Sequence, residues 1–389
     1  MRAGQFVFAQ LMEFLPWKRF QRLVIKYGGD RYVKHFSCSN QFLSMAFAQL
    51  TYRESLRDIE ACLRAHSAKL YHLGIRGRIS RSTLADANES RDWRIYAEFA
   101  QSLIDRARPL YANDPLELDL ANTVYALDST LVELCLSMFP WAHYQSTHAA
   151  VKLHTLVDLR GNIPSFLYIS DGKLNDVAVL DQLLPEPGAF YVMDRGYIDY
   201  ARLYRFHQGR AFFVVRAKSN LRAKRRYSHS VDRNTGLRSD HTVLLTGRFS
   251  HQDFPEPLRR VRIKDLSSGK SLVLLTNHFG LPALSITTLY RYRWQIELFF
   301  KWIKQHLRIK AFFGTSENAV KTQIWIAVSV YVLVAIVKKH FQLPASLHDL
   351  LQILSLTLFE QEPIDQLLTL APSESYTLDY SNQLTLFEF

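Results

Sequence analysis

The spacing of apolar residues along the chain changes three times, and each change marks a different architecture. Up to about residue 115 it is helical. Leu56, Ile59 and Leu63 follow Thr51-x-x-Glu54, which reads as a capping box, and Ser80 is placed to cap a helix running through Leu84. From about 117 the apolar residues gather in short runs. Val124 to Leu127, Val151 to Val157, Pro164 to Ile169, Ala189 to Met193 and Ala211 to Val215 are predicted strands. Asp158 to Asn162, with Gly161, reads as a hairpin turn, and helices are predicted over 175–184 and 198–207. A basic run (Arg216, Lys218, Arg222, Lys224, Arg225, Arg226) then leads into short strands at Thr242 to Leu245 and Arg259 to Ile263, with Leu272 to Thr276 as one more. Helical patterns return over 290–304 and 317–340, and the tail after Leu343 is amphipathic, then polar.

Three strands, a helix, a strand, a helix, a strand and a closing helix make the RNase H-like order. The fold class predicted is α/β: an RNase H-like mixed sheet with flanking helices, an inserted β-rich segment before the last catalytic helix, and a mostly helical N-terminal domain. The expected divisions are 1–115, 116–215 and 271–341 for the helical domain and the two parts of the core, 216–270 for the insertion, and 342–389 as a C-terminal segment suited to dimerisation. In that topology Asp128, at the end of the first strand, Asp194, at the end of the fourth, and Glu297, on the final helix, converge.

Composition narrows the function. A chain of 389 residues exceeds one ordinary core, and 48% hydrophobic with 22% charged residues suits a soluble globular protein. Lys and Arg number 48 against 36 Asp and Glu, which favours a polyanionic partner, nucleic acid ahead of a membrane surface. Cys38, Cys62 and Cys135 have neither zinc-site spacing nor a disulfide framework, in keeping with a reducing cytoplasm. The apolar run Ile324 to Val337 is shorter than the roughly 18 residues of a membrane span, so a buried core helix is expected.

The stretch from Tyr290 to Lys304 contains no Gly or Pro, and Ser285 is placed to cap it. On one continuous helix with Tyr290 at 0°, Arg293 falls at about 300°, Glu297 at about 340°, Lys301 at about 20°, Lys304 at about 320° and Arg308 at about 0°. One carboxylate would then sit in a basic stripe beside an apolar face. The simplest alternative is a solvated helix face with Glu297 and Lys301 as an i,i+4 pair. Near the N-terminus, Arg76, Arg78 and Arg81 surround the Ser80 helix start, with Arg91 and Arg94 following. That pattern suits either a helix-turn-helix that reads DNA or a helical bundle with a basic surface.

The spacing Tyr290-x2-Arg293-x3-Glu297-x6-Lys304 resembles the signature of the IS-four family of bacterial insertion-sequence transposases. Asp194, Arg195, Gly196 and Tyr197 are similar to that family's second aspartate motif, and Leu127, Asp128 and Ser129 to its first. The resemblance covers about 117–340. It implies a DDE transposase that binds terminal inverted repeats, cuts the DNA ends and joins their 3′-hydroxyls to a target. Asp128, Asp194 and Glu297 would be catalytic and would hold two Mg²⁺ ions, with Mn²⁺ as a substitute. Tyr290, Arg293 and Lys304, with Lys301 and Arg308 of the same stripe, would contact DNA, as would Arg78 and Arg81 in the N-terminal domain. Double-stranded DNA of the element ends and target, a homodimer in the synaptic complex, no membrane, and a cytoplasmic, nucleoid-associated location follow as expectations. The alternatives are an inactive DNA-binding derivative and an RNase H-like nuclease without strand transfer.

Some residues are expected to be structural. Asp171 and Asp176 read as turn and cap residues, and His148 and His154 as strand residues. There is one departure from the family. Relatives that form hairpin ends stack a flipped base on a Trp of the insertion, whereas residues 216–288 contain none, leaving Phe249, Phe254 or Phe279 as substitutes.

Overall fold

The computed structural model describes residues 4–116, 118, 120–145, 148–264, 269–306 and 312–369. The chain opens with six helices: α1 (Val7–Met12), α2 (Trp17–Lys26), α3 (Cys38–Leu50), α4 (Leu56–Ala65), α5 (Arg81–Ser90) and α6 (Arg94–Tyr111). Strands follow: β1 (Val124–Leu134), β2 (His143–Gln145), β3 (His148–Asp158), β4 (Ile163–Asp171) and β5 (Phe190–Met193). Next come α7 (Tyr200–Gln208), β6 (Phe212–Arg216), β7 (Ala223–His229), β8 (Leu237–Leu245), α8 (Arg248–Asp253), β9 (Leu258–Lys264) and β10 (Ser271–Thr276). The described chain closes with α9 (Ala283–Arg291), α10 (Trp294–His306), α11 (Glu317–His340), α12 (Leu347–Thr357) and α13 (Ile364–Thr369).

Two compact units result. One draws on the chain up to Ala112, on Leu131–Lys152 and on the helices after Phe299; the other on Asn113–Thr130 and Leu153–Leu298. The first unit is helical and is built around α11, which is buried from Ala319 to Val337 apart from Lys321 and packs on α3, α5, α6 and α12. By length and composition α11 could cross a membrane, but its apolar window is almost wholly covered by protein. The terminal helices close the same unit. Val7 and Phe8 donate their N–H groups to Glu360 O and Leu358 O, and Gln10 bonds to Glu362 O and to the Ile364 N–H.

Ser80 caps α5, accepting the Thr83 N–H at 3.2 Å. The capping box at Thr51 does not form. Thr51 ends α3, its hydroxyl donating to Phe47 O, and Ser55 caps α4 through the Asp58 N–H. Both hydroxyls satisfy the local pattern; the length of α3 decides between them. The link from α4 to α5 spans residues 66–80 and contains a 3₁₀ helix (Ser67–Leu73), too long for a helix-turn-helix turn of 3–4 residues. The short turn lies instead between α5 and α6, at residues 91–93.

The second unit is a mixed sheet ordered β3-β1-β5-β6-β10-β9-β8-β7, with β4 paired on β3. β5 is parallel to β1 and to β6, and β10, β9, β8 and β7 continue antiparallel from β6. The predicted strands all form. The β-rich insertion extends the main sheet rather than standing as a separate layer. Gly161 and Asn162 turn the chain between β3 and β4 with φ of 78° and 54°, as the hairpin signal required. One face of the sheet is closed by α7: Leu203 and Phe206 pack with Tyr125, Leu127, Tyr191, Met193, Phe213 and Val215, alternate residues of three neighbouring strands. The predicted helix at 175–184 is a 3₁₀ helix, Asp176–Gln182, capped by Asn175.

Candidate active site

Strand register brings the two aspartates together. Leu127 of β1 lies opposite Met193 of β5 in a parallel pair, so Asp128 and Asp194 occupy the next step on adjacent strands. β1 does not end at Asp128, as the sequence suggested, but runs to Leu134; only its pairing with β5 stops at Leu127. Both aspartates share parity with Ala126 and Val192. They therefore face away from the α7 core, while Ser129 turns back toward it.

The stretch from Tyr290 is not one helix. It breaks between α9 and α10 at Tyr292 and Arg293, and α9 starts after Pro282 with no side-chain cap, leaving Ser285 inside it. Across the break the N–H groups of Arg293, Gln295 and Ile296 bond three residues back, a tightened 3₁₀-type turn. The sequence offers no Gly or Pro here, and Arg293, in the turn, is held by partners on β1 and α10. Arg293 is only 9% exposed. Its Nη1 donates to Asp128 Oδ2 at 2.7 Å and its Nη2 to Glu297 Oε1 at 3.0 Å. Tyr290, also buried, donates its hydroxyl to Asp194 Oδ1 at 3.1 Å and stands 5.9 Å from the guanidinium. The i,i+4 pair formed by Glu297 is therefore with Arg293, and the stripe is not a solvated face where Tyr290 and Arg293 lie.

Five of the residues singled out from sequence thus meet in one cluster: Asp128, Asp194, Tyr290, Arg293 and Glu297. Burial pushes the Asp128 carboxyl up to about 6; Arg293 and the Ser129 N–H draw it back, and Glu297 and Asp194 add to the rise. Burial likewise raises the Tyr290 phenol, keeping it a neutral donor. Three carboxylates are oxygen ligands of the kind hard divalent ions take. As they stand they are held by a guanidinium and a phenol, and no three His, Cys, Asp or Glu side chains among the described residues enclose a metal position.

The structure also adds a polar chain beneath Asp128 that the sequence did not signal. Ser129 Oγ donates to Asp176 Oδ1 at 2.6 Å, the fully buried His154 comes within 3.8 Å of the same oxygen, and His154 Nε2 meets Ser170 Oγ at 3.1 Å. Asp176 is therefore not the cap of its helix. Asp171 is a turn residue as read, accepting from Lys173 and Leu174.

The remaining candidates lie elsewhere. On α10, Lys301 is exposed and Lys304 half-buried; Arg308 lies outside the described residues. Arg76, Arg78 and Arg81 are exposed around the start of α5. Arg91 is buried, and Arg94 is exposed but paired within the chain. Arg91 is buried on Gln41 and Phe36 O, and Arg94 forks onto Asp92. In the insertion Phe254 is 0% exposed, packed by Tyr204 and Phe213, so it cannot stack a base. Phe249 and Phe279 are exposed, and so is Tyr227 on β7, an aromatic not singled out from sequence.

Asp128 and Asp194, just past the point where two parallel strands stop pairing, and Glu297 on a later helix are carried by a mixed α/β sheet. The description Transposase DDE domain matches residues 120–333, and Domain of unknown function (DUF4372) matches residues 3–76. A protein assigned as a transposase in Sinorhizobium fredii is 35% identical over 260 residues, covering 65% of this chain and 70% of that one. The protein assigned as transposase of insertion sequence element IS5377 in Geobacillus stearothermophilus is 33% identical over 53% of this chain and 54% of its own. The one assigned to element IS4SA in Synechocystis is 25% identical over 67% and 73%. The chain belongs to the DDE transposase family, as an insertion-sequence transposase.

Proposed function

We propose that this transposase binds the terminal inverted repeats of its element, hydrolyses the DNA ends and joins the freed 3′-hydroxyls to target DNA, and that it falls in the IS-four branch of the family. The observation that carries the reading is the meeting of Asp128, Asp194 and Glu297, from three separate elements, around Arg293 and Tyr290. A fold gains little from gathering three half-buried carboxylates at one point, so a chemical reason is the better account. The strand order β4-β3-β1-β5-β6 supports an RNase H-like core.

Asp128, Asp194 and Glu297 would hold two Mg²⁺ ions, or Mn²⁺ in their place. When bound, such ions would activate the attacking oxygen and stabilise charge on the leaving one. The chain's own residues would orient the carboxylates and place phosphates. Lys301 and Lys304 on α10 would supply phosphate contacts, as would Arg78 and Arg81 at α5. A homodimer in the synaptic complex and a cytoplasmic site of action belong to this reading. The test is to incubate the purified chain with a duplex carrying the element's end, a target plasmid and Mg²⁺. Cut ends and joined products are expected. Cutting without joining would identify a nuclease, and binding without cutting an inactive derivative.

Two smaller effects follow. Lys304 lies seven residues after Glu297 on α10, roughly 10 Å along the axis, too far to share an ion with it. Lys304→Ala is expected to lower the salt dependence of DNA binding by about one unit of slope while cutting persists at saturating protein. Arg78→Ala with Arg81→Ala in the full chain should lower that slope by about two units, read from binding titrations at several salt concentrations. The full chain is needed because α11 fills the core of the helical unit.

A further inference from the structure

We propose that Arg293 is an internal counter-ion that closes the carboxylate site until DNA arrives, so that metal binding and DNA binding strengthen each other. The inference rests on the reading of Asp128, Asp194 and Glu297 as the metal-holding set and goes beyond it by assigning Arg293 a role in the DNA-free protein.

The guanidinium uses two different nitrogens on two different carboxylates, 2.7 Å to Asp128 and 3.0 Å to Glu297. Tyr290 takes the third, at Asp194. The resting site is thus satisfied by the protein's own donors. A divalent ion would compete with the guanidinium for the same two carboxylates, and Arg cannot give up its proton to make way. Two cations a few ångströms apart in a largely buried site repel strongly. The ion therefore binds weakly until the guanidinium leaves, and a buried guanidinium leaves at low cost only for another anion. A DNA phosphate is that anion, its two non-bridging oxygens able to take both arms of the planar Arg fork. The break between α9 and α10 supplies the means. Arg293 sits in the tightened turn rather than inside a continuous helix, so its backbone can adjust without unwinding either helix. By linkage, DNA raises the affinity for metal by the same factor as metal raises the affinity for DNA.

The test measures Mn²⁺ binding by electron paramagnetic resonance, with and without a duplex carrying the element's end. Asp128→Asn on the same duplex serves as the blank for ions held by DNA. In the wild-type protein DNA should tighten Mn²⁺ binding, within the roughly 5- to 150-fold range of ordinary site couplings. Arg293→Gln should bind Mn²⁺ about as tightly without DNA as the wild-type protein does with it, and the effect of DNA should vanish. An unchanged wild-type affinity on adding DNA overturns the proposal, even if Arg293→Gln fails to fold. So does a folded Arg293→Gln that binds Mn²⁺ no better than wild type while Asp128→Asn abolishes binding. Should Asp128→Asn bind Mn²⁺ as the wild type does, the carboxylate reading itself falls, a different outcome from either.

Discussion

Asp194→Ala is expected to abolish strand cleavage while leaving DNA binding and folding intact. Of the three carboxylates Asp194 is the cleanest to remove. Its side-chain partner is the Tyr290 hydroxyl, itself the donor, whereas loss of Asp128 or Glu297 strips a partner from a buried arginine. On the proposed reading Asp194 is one ligand of a metal-assisted phosphoryl transfer, and its loss would remove several kcal/mol of transition-state stabilisation; about 4 kcal/mol is already roughly a thousandfold in rate. The measurement is single-turnover cutting of an end duplex at saturating protein, beside a gel-shift titration and a thermal melt. Asp194→Ala that cuts at more than about a tenth of the wild-type rate would remove this carboxylate from the chemistry. Lost cutting together with lost binding would make it structural.

The convergence behind that expectation could be anticipated from the chain because it depends on topology and short spacings. Once Val124 to Leu127 and Ala189 to Met193 are read as strands, residues following them in a parallel pair must be neighbours. What the spacing could not supply was the break at Tyr292 and Arg293. No Gly or Pro marks it. The Arg293 at the break is bonded to Asp128, 165 positions away in sequence, which no local pattern can show. The single-stripe geometry assumed one continuous helix; across the break Tyr290, Arg293 and Glu297 still come together at Asp128 and Asp194.

Local patterns also tied where tertiary structure had to choose. Thr51 and Ser55 each stand three residues before an acidic residue, Glu54 and Asp58, and nothing within either window separates them. The arginines near α5 look alike in sequence, yet Gln41 draws Arg91 inward while Arg94 stays exposed and pairs with Asp92. Phe254 could not be told from Phe249 until its neighbours Tyr204 and Phe213 were in place. Asp176 read as a cap because Asn175, the residue that does cap, precedes it, and its bond to Ser129 spans 47 residues.

The insertion carries the largest expected effect on stability. Asp240 and Arg259 are 3% and 5% exposed and meet in a two-pronged pair, 2.9 and 2.8 Å, across β8 and β9. The remaining nitrogen of Arg259 donates to Leu281 O at 2.5 Å and Phe279 O at 3.2 Å, in the loop that leads into α9. One buried arginine thus ties the added strands to the start of the helix that carries Tyr290. Such a pair adds little over an apolar replacement of both members, but breaking it strands a charge. Asp240→Ala should destabilise the protein by about 3–5 kcal/mol. Asp240→Asn keeps an acceptor for Arg259 and should cost less. Urea unfolding of the two variants, followed at an aromatic signal, gives the order. The functional consequence follows from the loop. With Arg259 drawn from Phe279 and Leu281, α9 loses its anchor and Tyr290 its fixed distance to Asp194. Asp240→Ala should therefore cut more slowly even at a temperature where it is folded, with DNA binding less affected. Equal stability of Asp240→Ala and wild type would show that the pair is not the staple its burial implies.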